Sequence, residues 1–536
     1  MEFEKLQHAA AHSQPPDVSM AKLTKDRQQT THRLTRALLL SVVFLTFIWA
    51  LGNGVPFSSQ QQSKGPDVAK VQQCAIDNFH SDLSFLDPAV PIKADEFLER
   101  RDRLARALVA SGVDAFVLEP GYTFQYYGNI SQVDWEPWEP EERPFLMLVL
   151  PQTLETGEVV AKTAFLAPHF EEGRVRMLGI PSRDGAELDI VVWEEHWDPY
   201  ATLMESHLFK QKKTTKEDGE EATHAPPKLM MDEEIRDFIA RGLAATGFET
   251  VGLSPEAELV RQIKSPAEVE LLRAVNTGTV MAVRAMRPCL VPGLTEDEVR
   301  DVLDAALLSV GFGLFFDIVL FEEHGALPHG GVRYWGDEAD GGEHGDNPIV
   351  DHLPRAHYLG YSSDICRSFF IDPPKQQSSW LDRLNSFLPS CMGSSLFRRN
   401  DGTDLSSSSS PELRAEKFKV WDIVLEAQSA AAAAFMPNHT AAGVDIAART
   451  IIEEAGYGYG FTHRLGHGIG IKAHESPYLN KWNKKVLLQP GMTFTNEPGI
   501  YLEGKFGVRH EDIYLVKEEG EAELLTGRRA TGPYDP

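Results

Sequence analysis

The stretch from Phe461 to Asp512 decides how this chain is read. It runs through Thr462-His463-Arg464-Leu465-Gly466-His467-Gly468-Ile469-Gly470, His474-Glu475-Ser476-Pro477, Thr495-Asn496-Glu497-Pro498-Gly499 and Gly507-Val508-Arg509-His510-Glu511-Asp512. A histidine in a glycine-rich loop is followed by two glutamates in separate β-like segments. Upstream, Tyr361-Ser362-Ser363-Asp364-Ile365-Cys366-Arg367-Ser368 adds an aspartate. Alternation there puts Ile365, Phe369 and Ile371 on the face opposite Asp364. An acid aimed inward from such a strand costs several kcal/mol unless it is paired or binds metal. One imidazole and several carboxylates are the ligand set of a hydrolytic transition-metal site. The bland alternative for Asp364 is a solvated acid on an edge strand.

The totals set bounds. A chain of 536 residues exceeds one ordinary domain. Its 42% hydrophobic and 24% charged content is globular. A formal charge of −27 argues against nucleic acid as a partner, because phosphate binding needs a basic face. The four cysteines, Cys74, Cys289, Cys366 and Cys391, form no zinc pattern and leave any disulfide pairing open.

The N-terminal third suggests a layout. Residues 1–36 read as a polar, disordered cytoplasmic tail. Residues 37–57 are largely apolar and follow Lys22, Lys25, Arg27, Arg33 and Arg36, which predicts a single-pass signal anchor. A cleaved signal peptide and a core helix are the alternatives. The anchor would put the catalytic bulk on the lumenal or extracellular side, where sequons at Asn129 and Asn438 gain meaning. Residues 58–91 read as a stalk.

Residues 92–255 read as an α/β domain. A helix from Ala94 ends near Gly112, and strands are predicted at Ala115–Leu118, Phe145–Leu150, Ala164–Ala167 and Ile190–Trp193. Lys210–Lys228 is a surface loop. Trp135 and Trp138, amid acids, form either a substrate rim or loop anchors. Residues 256–525 form a second domain. Ser265-Pro266-Ala267-Glu268 and Thr295-Glu296-Asp297-Glu298 are capping boxes that open helices. Residues 375–411 are a polar insertion, a long loop or an imperfect gene model. Residues 412–436 and 444–455 read as helices, and 526–536 as a tail. Helices between β segments imply a sheet backed by helices, an α/β (α+β) class.

The order Asp, Asp, His, Glu, Glu in these surroundings resembles the pita-bread metallopeptidases, the Xaa-Pro dipeptidases and aminopeptidases P, over roughly residues 92–525. The resemblance implies a creatinase-type N-terminal domain before a pita-bread catalytic domain. It implies two divalent ions, Mn²⁺ by preference with Zn²⁺ or Co²⁺ open, held by Asp351, Asp364, His467, Glu497 and Glu511. The family spaces its two aspartates eleven apart, whereas Asp351 and Asp364 are thirteen apart. An even insertion keeps side-chain parity if the hairpin lengthens at its turn; one inside the strand misplaces the ligand.

The resemblance also supplies roles: Glu497 as proton shuttle, His474 as donor to substrate or oxyanion, His329 as upstream substrate histidine, and His463 and Arg509 lining the proline side. A surface role for His463 and a structural one for Arg509 stay open. The implied reaction is hydrolysis of the Xaa-Pro bond of dipeptides or peptide N-termini. The rivals on the same fold are a metal-independent creatinase-like amidinohydrolase and a non-catalytic binding protein. The partners expected are a proline-containing peptide, a membrane through the anchor, and a second copy in a homodimer.

Overall fold

The computed structural model describes residues 66–135, 143–210, 225–330, 349–371 and 411–536. Two sheets carry the chain. The first has the order β4-β3-β2-β1-β5-β6. Its strands are β1 (Ala115–Leu118), β2 (Leu146–Thr153), β3 (Val159–Pro168), β4 (Asp189–Trp193), β5 (Lys228–Met231) and β6 (Glu249–Val251). The helix Ala94–Ser111 crosses it and stops where Gly112 turns left-handed at φ 64°.

The second sheet holds the candidate residues. Its path is β12-β11-β13-β15-β10-β8-β7, with β9, β14 and β16 paired off it. In chain order these are β7 (Gly313–Phe321), β8 (Ile349–Tyr358), β9 (Tyr361–Ser362), β10 (Cys366–Phe370), β11 (Gly466–Gly468), β12 (Glu475–Leu479), β13 (Thr493–Asn496), β14 (Gly499–Leu502), β15 (Phe506–Leu515) and β16 (Glu523–Leu524). All its pairings are antiparallel.

Helices cover one face of this sheet in two groups. Pro266–Met286 and Glu296–Leu308 open with the expected reciprocal capping boxes. They bury Val275, Val283, Val302 and Leu303 with Val319, Val350, Ile365 and Phe369 of the sheet region. Pro411–Ala432 and Ala441–Glu454 bury Val424, Ala431, Val444 and Ile452 with Phe494, Ile500 and Val508. Because Ile365 and Phe369 take the helix side, the strand pleat turns their even-numbered neighbours to the other face.

Three expectations change. Residues 66–91 are not a stalk. Val71, Ala75 and Phe79 recur at helical spacing, and the helix Val68–Phe79 docks them on the second domain's core. A disulfide from Cys74 to Cys289 fixes it there. Residues 526–536 are not a loose tail. The Phe370 N–H donates to Pro533 O, and the Arg284 side chain donates to Pro536 O. The membrane anchor and the lumenal or extracellular placement are not upheld. A span needs roughly 20 apolar residues in a helix, and among the described residues no helix is long and apolar enough. The expectation itself, over 37–57, lies outside the described residues, as do the tail at 1–36, most of the insertion at 375–411, residues 211–224 of the predicted loop, and Trp138. Asn129 and Asn438 are exposed, but their reading as glycosylation sites depended on that placement.

Cross-linking residues 215 apart constrains the unfolded chain far more than a local bridge would. Replacing Cys74 and Cys289 together with alanine is expected to lower unfolding free energy by about 2–5 kcal/mol, read by denaturant titration. Reducing the unmutated chain should reproduce most of the loss.

Candidate metal centre

Each donor lies in a strand or in the short link beside one. In β11, His467 sits between glycines because the backbones crowd. A Cβ on Gly466 would lie 2.3 Å from Thr495 O, and one on Gly468 2.7 Å from Ser476 O. Only glycine fits either place. The His467 backbone N–H donates to Thr495 Oγ1 at 3.0 Å. Its Nδ1 faces Gly468 O at 3.0 Å. A carbonyl can only accept, so Nδ1 donates to it and Nε2 is the nitrogen left for a ligand.

That nitrogen points at acids. His467 Nε2 lies 3.2 Å from Glu497 Oε1 and 3.6 Å from Asp364 Oδ2. His467, Glu497 and Glu511 form one group with ligand atoms within 4.8 Å of one another; Asp364, His467 and His474 form another. All of these are buried except the half-exposed His474. His467 Nε2, Asp364 Oδ2 and both Glu511 carboxylate oxygens have no hydrogen-bond partner.

The electrostatics follow. Burial, joined by the charges of Asp364 and Glu497, holds the Glu511 carboxyl well above the usual range. Burial raises Asp364 too, opposed by Arg355 and His467. Glu497 stays low despite burial, because His467, His463 and Arg509 favour its charged form. Carboxylates gathered out of water in this way call for a cation among them.

Asp351 does not join the group. In β8 it pairs with Ser368 of β10, and Ser368 Oγ donates to Asp351 Oδ1 at 3.0 Å. The Cys366 thiol donates to the same oxygen at 2.8 Å. The hairpin turn is short, with Tyr358 opposite Tyr361, so the two additional residues lie in the strand and not at its tip. Asp351 keeps the inward face but stands two residues, roughly 7 Å, beyond the position the family spacing implies. That position is 353, a leucine, which has no donor atom. Sequence reading missed Arg355. Two residues further on, its Nε donates to Asp364 Oδ1 at 2.7 Å. Only the register of the hairpin reveals it.

The remaining residues divide. His474 Nε2 is 3.6 Å from Asp364 Oδ2, and its ring lies 4.3 Å from that of His467. Burial, with His467 beside it, brings its pKa down to about 3, so it is neutral. His329 is at the surface, with Arg509, Arg355, Glu497 and Asp364 acting on it. His463 spends both nitrogens inside the chain, on Arg464 O at 2.6 Å and Tyr501 Oη at 3.0 Å. Arg509 is 2% exposed among Tyr501, Cys366, Asp351 and Glu511. Trp135 is buried against Phe145 with ring centroids 4.0 Å apart, as a loop anchor would be.

Behind the donors lies a second row. Arg367 donates to Asp512 Oδ1 and to Glu511 O, each at 2.5 Å. Gln428 donates to Asp512 Oδ2 at 3.0 Å and to Asn496 O at 3.2 Å. These tie β13 and β15, and with them Glu497 and Glu511, to the helix Pro411–Ala432.

A family model described as metallopeptidase family M24 matches residues 270–407 and 403–518. An uncharacterized peptidase of Schizosaccharomyces pombe is 33% identical over 487 residues, 88% of this chain and 90% of its own. The chain belongs to metallopeptidase family M24. An Xaa-Pro dipeptidase of Pyrococcus furiosus is 31% identical over 50% of this chain and 65% of its own. The crystal structure of dipeptidase PepE from Mycobacterium ulcerans superposes with a TM-score of 0.59 at 26% identity, over 82% of this chain and 98% of that one. The fold is the pita-bread architecture of M24 peptidases.

M24 chemistry implies paired divalent ions. In this M24 chain the unpartnered donors of His467, Glu511 and Asp364, with Glu497, fit a divalent ion; position 353, where the family spacing puts an aspartate, is a leucine, and two residues beyond it Arg355 is paired with Asp364. Glu511→Gln removes a charge that the fold holds against repulsion. In chelator the variant should unfold at least about 1 °C above the chelated parent. The gap should widen between about pH 5 and pH 8: a carboxyl whose folded-state pKa is raised loses its contribution to stability as pH climbs through that value. Scanning calorimetry at both pH values checks this.

Proposed function

We propose that this chain is a metal-dependent exopeptidase that hydrolyses the Xaa-Pro bond of dipeptides or peptide N-termini. The observation that carries the reading is the convergence of unpartnered donor atoms from His467, Asp364 and Glu511, with Glu497 beside them. The name of the Pyrococcus relative, an Xaa-Pro dipeptidase, supports the Xaa-Pro bond, and that of the Mycobacterium neighbour, a dipeptidase, supports short peptides. A divalent ion held there, Mn²⁺ by the carboxylate-rich set, would acidify a water and polarise the scissile carbonyl.

The chain's own residues do the rest. Glu497 is kept ionised and accepts a proton. Neutral His474, half-exposed at the edge of the acids, donates a hydrogen bond to the carbonyl oxygen as negative charge grows on it. His329, on the open side, contacts the peptide. His463 and Arg509, contrary to a substrate-facing role, position: His463 braces Tyr501, and Arg509 lies among the buried groups around Asp351 and Cys366.

A second reading, a non-catalytic protein on this fold, draws support from the Arg355–Asp364 pair. The two separate by experiment. The peptidase reading expects turnover of Gly-Pro or Gly-Pro-Xaa that chelation abolishes and Mn²⁺ restores. It expects kcat/KM to fall at least ~10²-fold in His474→Ala and further in His467→Ala. Cleavage of the dipeptide alone would mark a dipeptidase, and cleavage of the tripeptide an aminopeptidase. Complete inactivity with and without Mn²⁺ on both peptides would leave the binding-protein reading standing.

A further inference from the structure

The acids of this centre do not divide as a two-ion site requires. The guanidinium of Arg355 is mostly buried and makes a direct ion pair with Asp364 Oδ1 at 2.7 Å. Its charge is felt also by Glu511 and Glu497. The Phe316 ring lies 5.2 Å from its Cζ. Asp351, the acid the second ion would need, has the Cys366 thiol and the Ser368 hydroxyl on one oxygen. Arg509 is the cation close to it.

Resting on the metallopeptidase reading above, we propose that Arg355 is a built-in cation that stands in for one of the two metal ions, so that the centre binds a single divalent ion. Charge agrees. The three carboxylates of Asp364, Glu497 and Glu511, less one guanidinium, leave two negative charges, which one divalent ion neutralises. The open donors agree as well. Asp364 keeps Oδ2 unpartnered while Oδ1 is taken by Arg355, and Oδ2 is the oxygen that faces His467. A guanidinium is planar, permanently charged and weakly hydrated, and it pairs with buried carboxylates better than an ammonium would. It does not acidify a water as a metal ion does, so one divalent ion, when bound, would supply that chemistry alone.

The proposal is tested by metal stoichiometry and spectroscopy, independent of turnover. The full chain, stripped with chelator, is titrated with Mn²⁺ by calorimetry, its metal content measured after gel filtration, and its electron paramagnetic resonance spectrum recorded. One Mn²⁺ per chain with the uncoupled spectrum of an isolated ion is expected. His467→Ala should lose it. Leu353→Asp combined with Arg355→Gly restores the family spacing and removes the guanidinium, and is expected to bind two ions with an exchange-coupled spectrum. Should that variant fail to fold, the parent protein still decides. Two coupled Mn²⁺ in the parent would overturn the stand-in role of Arg355 and leave the metallopeptidase reading intact. No bound Mn²⁺ in the parent or in a folded double variant would overturn the metal centre itself.

Discussion

Mutual repulsion of carboxylates held out of water governs this molecule. Asp364, Glu497 and Glu511 are each at most 8% exposed and converge on one imidazole. At such spacings like charges in a poorly polarisable surround cannot all ionise without a cation among them. Everything around them serves to hold the acids together regardless. The antiparallel pairing delivers His467 from β11 and Glu511 from β15, with Asp364 just before β10 and Glu497 just after β13, and helices pack on the far face of the sheet. Stability and chemistry therefore conflict here, as is usual where a site is built to bind a metal.

The second row shows how the conflict is contained. Arg367 joins Asp512 and the Glu511 carbonyl; Gln428 joins Asp512 and the Asn496 carbonyl; the Trp421 indole N–H donates to Ser368 O at 2.8 Å. Each donor comes from a helix or strand whose own position is set by apolar packing. The acids are thus aimed by hydrogen bonds but anchored by hydrophobic burial, the larger of the two energies. The glycines flanking His467 belong to the same scheme, since they let β11 press against its neighbours closely enough to bring the ring among the acids.

Much of this was legible in the sequence. Local chemistry announced the capping boxes at Ser265 and Thr295, the glycine stop at Gly112 and the strand at Ala115–Leu118, and the phrases around His467, Glu497 and Glu511 announced the donors. What escaped were long-range matters. The helix Val68–Phe79 has its apolar stripe, but only docking on a core more than 190 residues away makes it part of the domain, and the polar segment before it suggested a stalk. The Cys74–Cys289 pairing is invisible for the same reason. His463 and Arg509 look alike as candidates in the sequence, and only the fold shows both ring nitrogens of His463 taken up and Arg509 buried.

The hairpin of β8 and β10 carries the sharpest lesson. Parity was the right criterion for asking which face Asp351 takes, and the answer, inward, agrees with the strand. Parity does not say how far along the strand a side chain stands. Pairing does: Ser368 opposite Asp351 forces Asp364 opposite Arg355, so the same register that moves one acid out of reach brings a guanidinium in. The two events are one. A slip of two residues keeps side-chain parity, and Val350 and Ala356 face the helix-side core. The fold is blind to the change, and only the inner face registers it. A sheet of this kind can therefore alter the number of cations at its centre without disturbing the packing that holds it together.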